Sequence, residues 1–211
     1  MVQSNLDDFS KFIAENKGKR KFKQSVELAI NFKGVDFTKQ QNRLNLDITL
    51  PNGRGKIAKV AVFAQDKNVI ESAQKAGIEV IDGSRLQDLA TDQARLNALL
   101  DYELIAQPVL MPQIARYLGQ FLGPRNKMPK PLLGNANIAN VAGDLNKKIT
   151  VKNKGKYVPT VHCVVGSEDM EAKALYDNIS SVLDEVGKKV GNNHIRSAYA
   201  KLSMSKPMKM V

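Results

Sequence analysis

Arg125, Lys127 and Lys130 lie within Leu118-Gly-Gln-Phe-Leu-Gly-Pro-Arg-Asn-Lys-Met-Pro-Lys-Pro131, and Glu103 is the only acid between Tyr102 and Pro131. Cations at this density do one kind of chemistry, the recognition of anions. Gly119, Gly123, Pro124, Pro129 and Pro131 argue against a regular helix or a central strand, since proline fixes φ and lacks an amide donor. The spacing therefore predicts a long shaped loop presenting three cations to solvent. Self-repulsion disfavours such a loop without an anionic partner. The alternative is a stiff connector whose charges are only solvated.

Two further cation clusters stand far apart in the chain: Lys17, Lys19, Arg20, Lys21 and Lys23, then Lys147, Lys148, Lys152, Lys154 and Lys156. The parts of common catalytic sites are missing. No Gly-x-Gly-x-x-Gly follows the first strand of the middle segment, and Gly53-Arg-Gly55 precedes that strand, where it cannot cradle a pyrophosphate at a helix start. Neither Gly-x-x-x-x-Gly-Lys-Ser/Thr nor Gly-x-Ser-x-Gly occurs. His162 reads as a sheet residue and His194 as a turn residue, with no pattern implying a catalytic triad. Cys163, the one cysteine, reads as a small buried apolar residue, and it excludes an internal disulfide. Two histidines and one cysteine do not make a usual structural zinc site. The expectation is no enzyme activity, no cofactor and no metal.

The whole chain carries 32 Lys/Arg against 21 Asp/Glu in 211 residues, a net charge of +11. Nucleic acid and anionic membranes are the candidate partners. The acidic N-terminus lacks the apolar stretch of a signal peptide, no apolar run approaches membrane-spanning length, and no basic amphipathic helix with a broad apolar face stands out. Nucleic acid leads, in a cytoplasmic setting without membrane contact. The charge is uneven: residues 55–147 hold 11 Lys/Arg and 9 Asp/Glu, whereas the flanks hold 21 and 12.

The elements that must position these charges separate in the same way. In the middle segment, Lys59–Ala64, Ile78–Ile81 and Leu104–Ala106 read as strands. They alternate with helices over Asn68–Ala76, from an N-cap at Ser84 to Leu100, over Met111–Leu118 and over Asn137–Leu145. The flanks carry period-two strands at Ser25–Phe32 and Arg43–Leu50, further strands at Ile149–Val151, Val161–Val165 and Ala198–Met204, and a long amphipathic helix over Met170–Val190. Neither flank alone has apolar surface enough for a core. The expected fold is a discontinuous α+β outer domain, 1–54 with 148–211, in which helices pack on an antiparallel sheet. Inserted into it is an α/β three-layer, Rossmann-like domain, 55–147, joined by connections near Pro51–Gly55 and Asn146–Lys148 that form a hinge.

Five motifs, Phe22-x-Gln-Ser-Val-Glu27, Leu50-Pro-Asn-Gly-Arg-Gly-Lys56, Leu118-Gly-x-x-Leu-Gly-Pro-Arg-x-x-Met-Pro-Lys-Pro131, Asn135-Ala-Asn-Ile138 and Ala198-Tyr-Ala-Lys-Leu-Ser-Met204, resemble the ribosomal protein L-one family, and they fall in its order. The archaeal branch is the closer likeness. The resemblance implies a monomer in the mobile stalk of the large ribosomal subunit, bound to ribosomal RNA near the tRNA exit site. It also implies help in releasing deacylated tRNA and, in many members, repression of the protein's own messenger. The main RNA contacts it implies fall on Phe22, Ser25 and Glu27, on Asn153 and Lys154, and on Ser197, Ser203, Met204 and Ser205. The basic loop with Arg125, Lys127 and Lys130 becomes a secondary site.

Chemically, the serine hydroxyls suit phosphate or 2′-OH groups, and Phe22 and Met204 suit packing on a sugar or base. Without the resemblance, Phe22 reads equally as core and Met204 first as core. Glu27 repels phosphate, so in such a site it must accept from a 2′-OH or an amino group. Ser205 stands where the family usually has glycine, which adds a side chain at a point of close approach. The competing functional readings are a nucleotide-dependent enzyme built on the middle domain and a non-specific nucleic-acid compaction protein.

Overall fold

The computed structural model describes residues 5–125, 127–132, 138–153 and 158–211. Its packing divides the chain into two units, Met1–Lys56 with Asn146–Val211, and Ile57–Leu145. In chain order the first flank supplies α1 (Leu6–Asn16), β1 (Ser25–Phe32) and β2 (Asn45–Thr49). Then come β3 (Lys59–Ala64), α2 (Lys67–Lys75), β4 (Glu79–Asp82), α3 (Leu86–Thr91), α4 (Gln93–Ala98), β5 (Tyr102–Ala106), α5 (Met111–Leu122), β6 (Lys130–Pro131) and α6 (Ile138–Lys147). The second flank adds β7 (Lys148–Lys152), β8 (Thr160–Ser167), α7 (Ala172–Val190), β9 (Ile195–Leu202) and β10 (Met208–Lys209).

In the discontinuous unit, β1 alternates without a break. Val26, Leu28, Ile30 and Phe32 are buried, while Ser25, Glu27, Ala29 and Asn31 point the other way and are half-exposed. It lies inside a four-stranded antiparallel sheet of order β10-β9-β1-β8. The apolar side of that sheet packs on α7 through Leu175, Ile179, Val182, Leu183 and Val186, one stripe at helical spacing, and on Phe9 and Ile13 of α1. Gly191, at φ 93°, ends α7 in a conformation that a residue with Cβ avoids. A separate antiparallel ladder joins β2 to β7, and Ile48, Ile149 and Val151 enter the same core.

The unit formed by Ile57–Leu145 is a parallel sheet of order β4-β3-β5-β6. Ala61, Phe63, Leu104 and Ala106 face α3, α4 and α5 on one side, while Val60, Val62 and Ile105 face α2 and α6 on the other. Three layers result.

Two local expectations change. The helix expected from Ser84 to Leu100 is two short helices parted at Asp92, whose carboxylate accepts from the amides of Ala94 and Arg95 at 3.1 Å. An aspartate that caps its own downstream amides competes with helix continuation. Ser84 does not cap: its amide donates to the Asp82 carboxylate at 2.9 Å. The loop expected from Leu118 begins later, because α5 runs through Gly119 to Leu122. Burial of Ile114, Leu118 and Leu122 outweighs the roughly 1 kcal/mol helix penalty of glycine. At the other end of the loop, Lys130–Pro131 adds a short edge strand to β5.

Candidate nucleic-acid interface

The pleat that buries Leu28 turns Glu27 outward, and the neighbouring strands set what stands beside it. Glu27 lies between Val164 of β8 and Lys201 of β9, Ala29 between His162 and Tyr199, and Asn31 between Thr160 and Ser197. Asn31 ties its row together: its Nδ2 donates to Ser197 Oγ at 3.1 Å, and its Oδ1 accepts from Thr160 Oγ1 at 3.0 Å. Lys209 of β10 extends the middle row beyond Tyr199. No helix covers this face among the described residues, and His162 and Val164 are exposed on it. Glu27 makes no hydrogen bond or ion pair with the described residues, so its carboxylate is free to accept from a bound group.

At one end of the face two distant segments interlock. The Ser25 amide donates to Ser203 Oγ at 3.2 Å, and the Ser203 amide donates to the Ser25 carbonyl at 3.1 Å. Gln24, only 2% exposed, is the hub below them: its Oε1 accepts from the Met204 amide, and its Nε2 donates to the Asn16 carbonyl and to Glu168 Oε2, each at 3.1 Å. With the backbone held, Phe22 and Met204 stand 52% and 57% exposed. Such exposure of large apolar side chains in a lysine-rich neighbourhood gives flat surfaces for a sugar or base beside cations for phosphate.

Lys56 Nζ donates to Ser25 Oγ at 3.4 Å and to the Lys23 carbonyl at 3.3 Å. Lys23 lies 2.6 Å from Asp169. That hydrogen bond holds the Asp169 carboxyl below the usual carboxylate range and raises the Lys23 ammonium, so both stay charged at neutral pH.

The expected contact residues thus divide. Phe22, Ser25, Ser203 and Met204 come together at this end, and Glu27 and Ser197 stand on the same open face. Ser205 folds back into its own turn: its hydroxyl accepts from the Leu202 amide and donates to the Lys206 carbonyl, both at 2.9 Å, so the side chain that replaces glycine is spent on the turn. Asn153 departs from the expectation of a surface contact. It is 3% exposed, and its Oδ1 accepts from the Leu44 amide at 2.7 Å, locking the end of the β2–β7 ladder. Its Nδ2 is buried without a hydrogen-bond partner among the described residues. Lys154 lies outside the described residues.

The secondary loop is also sorted. Lys127 Nζ donates to the Tyr102 carbonyl at 3.1 Å and lies 3.8 Å from Glu103, which makes it a clamp on the end of β5. Arg125 is exposed, stacks on Phe121 at 4.0 Å and donates to the Phe121 carbonyl. Lys130 sits on β6.

Gln24, Asn31, Lys56, His162, Tyr199 and Lys201 join the face without having been singled out from sequence. Asn31 shares strand parity with Glu27, and Tyr199 and Lys201 share it with Ser197, whereas His162 on β8 joins only through the strand register. Gln24 and Lys56 stand inside two of the family motifs, but nothing local shows what they hold, because their partners Met204 and Ser25 lie far away in the chain.

The inserted unit offers the crevice that α/β sheets use for nucleotides, at the carboxyl ends of β3 and β5, where the strand order reverses. Part of its hydrogen-bonding capacity is used by the chain itself. Gln107 Oε1 accepts from the amides of Gln65 and Asp66 at 2.7 and 3.3 Å, and the Asp66 carboxylate caps α2. Three amides at this helix start, those of Gln65, Asp66 and Asn68, already have side-chain acceptors, and the Asp66 carboxylate places an anion beside them. A cavity of about 490 Å³ beside β4 is rimmed by Glu79, Asp82 and Asp88 as well as Arg85 and Arg95, a mixed rim with no preference for an anion. No cluster among the described residues is placed to hold a metal ion, and none of their helices is long and apolar enough to cross a membrane.

The open sheet face of the discontinuous unit carries hydroxyls, amides and cations of the kinds that suit RNA. A family model described as "Ribosomal protein L1p/L10e family" matches residues 11–206. The large ribosomal subunit protein uL1 of Thermococcus kodakarensis is 42% identical over 199 residues, which cover 90% of this chain and 89% of that protein. The protein of the same name from Pyrococcus horikoshii is 42% identical over 192 residues, covering 88% and 85%. That from Methanothermobacter thermautotrophicus is 33% identical over 214 residues and covers all of both. The chain belongs to the ribosomal protein L1p/L10e family, a family of ribosomal proteins and not of enzymes.

Proposed function

We propose that this chain is a component of the large ribosomal subunit that grips ribosomal RNA with its discontinuous unit. The gripping surface is the outer face of β8-β1-β9, carrying Glu27 and Ser197, together with the Phe22, Ser25, Ser203 and Met204 end. The observation that carries the reading is the Ser25–Ser203 interlock, which leaves Phe22 and Met204 exposed where lysines gather. In this reading serine hydroxyls and Lys56 meet phosphates or 2′-OH groups, Phe22 and Met204 pack on a ribose or base, and Glu27 accepts from a 2′-OH or amino group. Lys56 and Ser205 support the site by bracing it.

Bound in this way in the cytoplasm, as one copy per ribosome, the protein forms the mobile stalk near the tRNA exit site. There it assists release of deacylated tRNA and, where its messenger presents the same RNA shape, represses that messenger. The nucleotide-enzyme alternative is disfavoured by the occupied amides of Gln65 and Asp66.

The test is titration of the cognate large-subunit RNA helix over a range of salt concentrations. The log–log slope is expected at about −0.7 to −0.9 per phosphate contacted. Met204→Ala should weaken binding about tenfold without lowering thermal stability, by analogy with the loss of one stacking surface. A flat salt profile, or equal affinity for a random duplex, would refute the site.

A further inference from the structure

The inserted unit is not evenly neutral. Residues 104–143 hold four Lys/Arg and no acid, while residues 57–103 hold five Lys/Arg and eight acids. Strand order keeps the two stretches apart: β3 and β4 form one half of the sheet, β5 and β6 the other. The cationic half carries α5, whose buried stripe is Ile114, Leu118 and Leu122. Its opposite face presents Gln113, Arg116, Tyr117 and Gln120, with half-buried Phe121 at the edge. Helical spacing places these five on one contiguous surface about 12 Å long.

Both arginines there are paired with rings. Arg116 lies 5.7 Å from the Tyr117 ring centre and Arg125 4.0 Å from that of Phe121. Tyr117 is 38% exposed and both guanidinium groups reach solvent.

We infer that this face of α5 is a second nucleic-acid site, which takes the unpaired bases of an RNA loop. A surface that follows a duplex needs flexible ammonium groups free to meet phosphates, yet Lys127 is tied to the Tyr102 carbonyl and Glu103, and Lys130 on the edge strand β6 has a partner of its own. The other two cations are planar guanidinium groups, Arg125 stacked on Phe121 and Arg116 beside the Tyr117 ring. That arrangement offers flat cationic surfaces for stacking, and neighbouring glutamines can meet base edges. An acid-free cationic half complements a polyanion. The site lies wholly on the inserted unit and does not depend on the surface assigned above.

The experiment uses the full chain with a 12-nucleotide single-stranded RNA carrying 4-thiouridine, irradiated in the presence of excess unlabelled RNA duplex to occupy the discontinuous unit. Crosslinked peptides are mapped by mass spectrometry. Crosslinks are expected within residues 111–125, reduced about tenfold in Tyr117→Ala and in the double variant Arg116→Lys with Arg125→Lys, and unchanged in Met204→Ala. Melting curves establish that each variant is folded. Full retention in the lysine variant would overturn the stacking assignment, since charge alone would then suffice. Crosslinks confined to the discontinuous unit, or abolished by the duplex, would overturn the site itself.

Discussion

The outer face of β8-β1-β9 and the solvent side of α5 both carry cations, yet they make different use of them. On the sheet, Lys209 stands in a row with Tyr199 over a pleated surface rich in hydroxyls, while Lys201, beside Glu27, also donates to the Ser203 carbonyl at 3.2 Å. On α5 the arginines are few and each lies against a ring. A few residues on, Lys127 is spent on holding the end of a strand. Cation density in the sequence therefore locates charge but not its availability. Of the three cations that first draw the eye in residues 118–131, Lys127 is occupied as a clamp, and Arg125 is shaped for stacking.

The largest test of this contrast replaces one buried leucine under each surface. Leu28→Ala and Leu118→Ala should each cost about 2–5 kcal/mol in a urea titration, since both side chains are fully enclosed. Only Leu28→Ala should weaken binding of the ribosomal RNA helix, because only that leucine underlies the sheet face. Equal losses of affinity would break the contrast.

Gln24→Ala comes next. It leaves the Met204 amide without its acceptor and the buried Glu168 without a donor, at a cost of about 1–3 kcal/mol. The same variant should lower affinity for the RNA helix, as the Met204 turn loosens. A stability loss with affinity intact would assign Gln24 to the core alone.

Lysine against lysine is a finer comparison. Lys209→Ala should reduce the log–log salt slope by about one, and Lys127→Ala should leave it unchanged while lowering the melting temperature. Reversal of those two results would move the RNA surface to the inserted unit.

The smallest effect at neutral pH belongs to Cys163, whose thiol burial pushes up to about 12. An unfolded thiol ionises near 8.5, by the usual value. Between that pH and about 12 only the unfolded chain gains by losing the proton. Stability is thus fully present below the unfolded value and falls as pH rises through the window. Urea midpoints at pH 8 and pH 10 should drop less in Cys163→Ala than in the parent.

The sequence made some of this architecture plain. Ser25–Phe32 alternates so regularly that strand, buried face and open face all follow from it. The helix over Ala172–Val190 announces itself through its apolar stripe. The N-terminal helix was not read, although Phe9, Phe12 and Ile13 at helical spacing with acids in the first turn mark it. The break at Asp92 was harder to see, because the leucine spacing runs straight across it and only the carboxylate's choice of local amides decides the outcome.

Within the candidate site, Ser25 and Ser203 were legible through motif resemblance. The burial of Asn153 was not legible, because a polar residue at a strand end looks exposed until the neighbouring ladder closes over it. The roles of Gln24 and Gln107 depend on partners that no local pattern reveals.

One bond in the discontinuous unit has a consequence for how the chain assembles. The Leu50 amide donates to the Lys147 carbonyl at 2.8 Å, one step beyond the paired Thr49 and Lys148. The ladder of β2 and β7 is in effect a hairpin whose turn is an entire folded body. Closing a random loop of about a hundred residues would cost roughly 4 kcal/mol in chain entropy. A guest that folds first on its own local contacts brings its two ends together and removes most of that cost before the host zips shut. The host's points of departure and return are neighbours, so a short tight turn could replace the guest altogether and leave a minimal RNA grip.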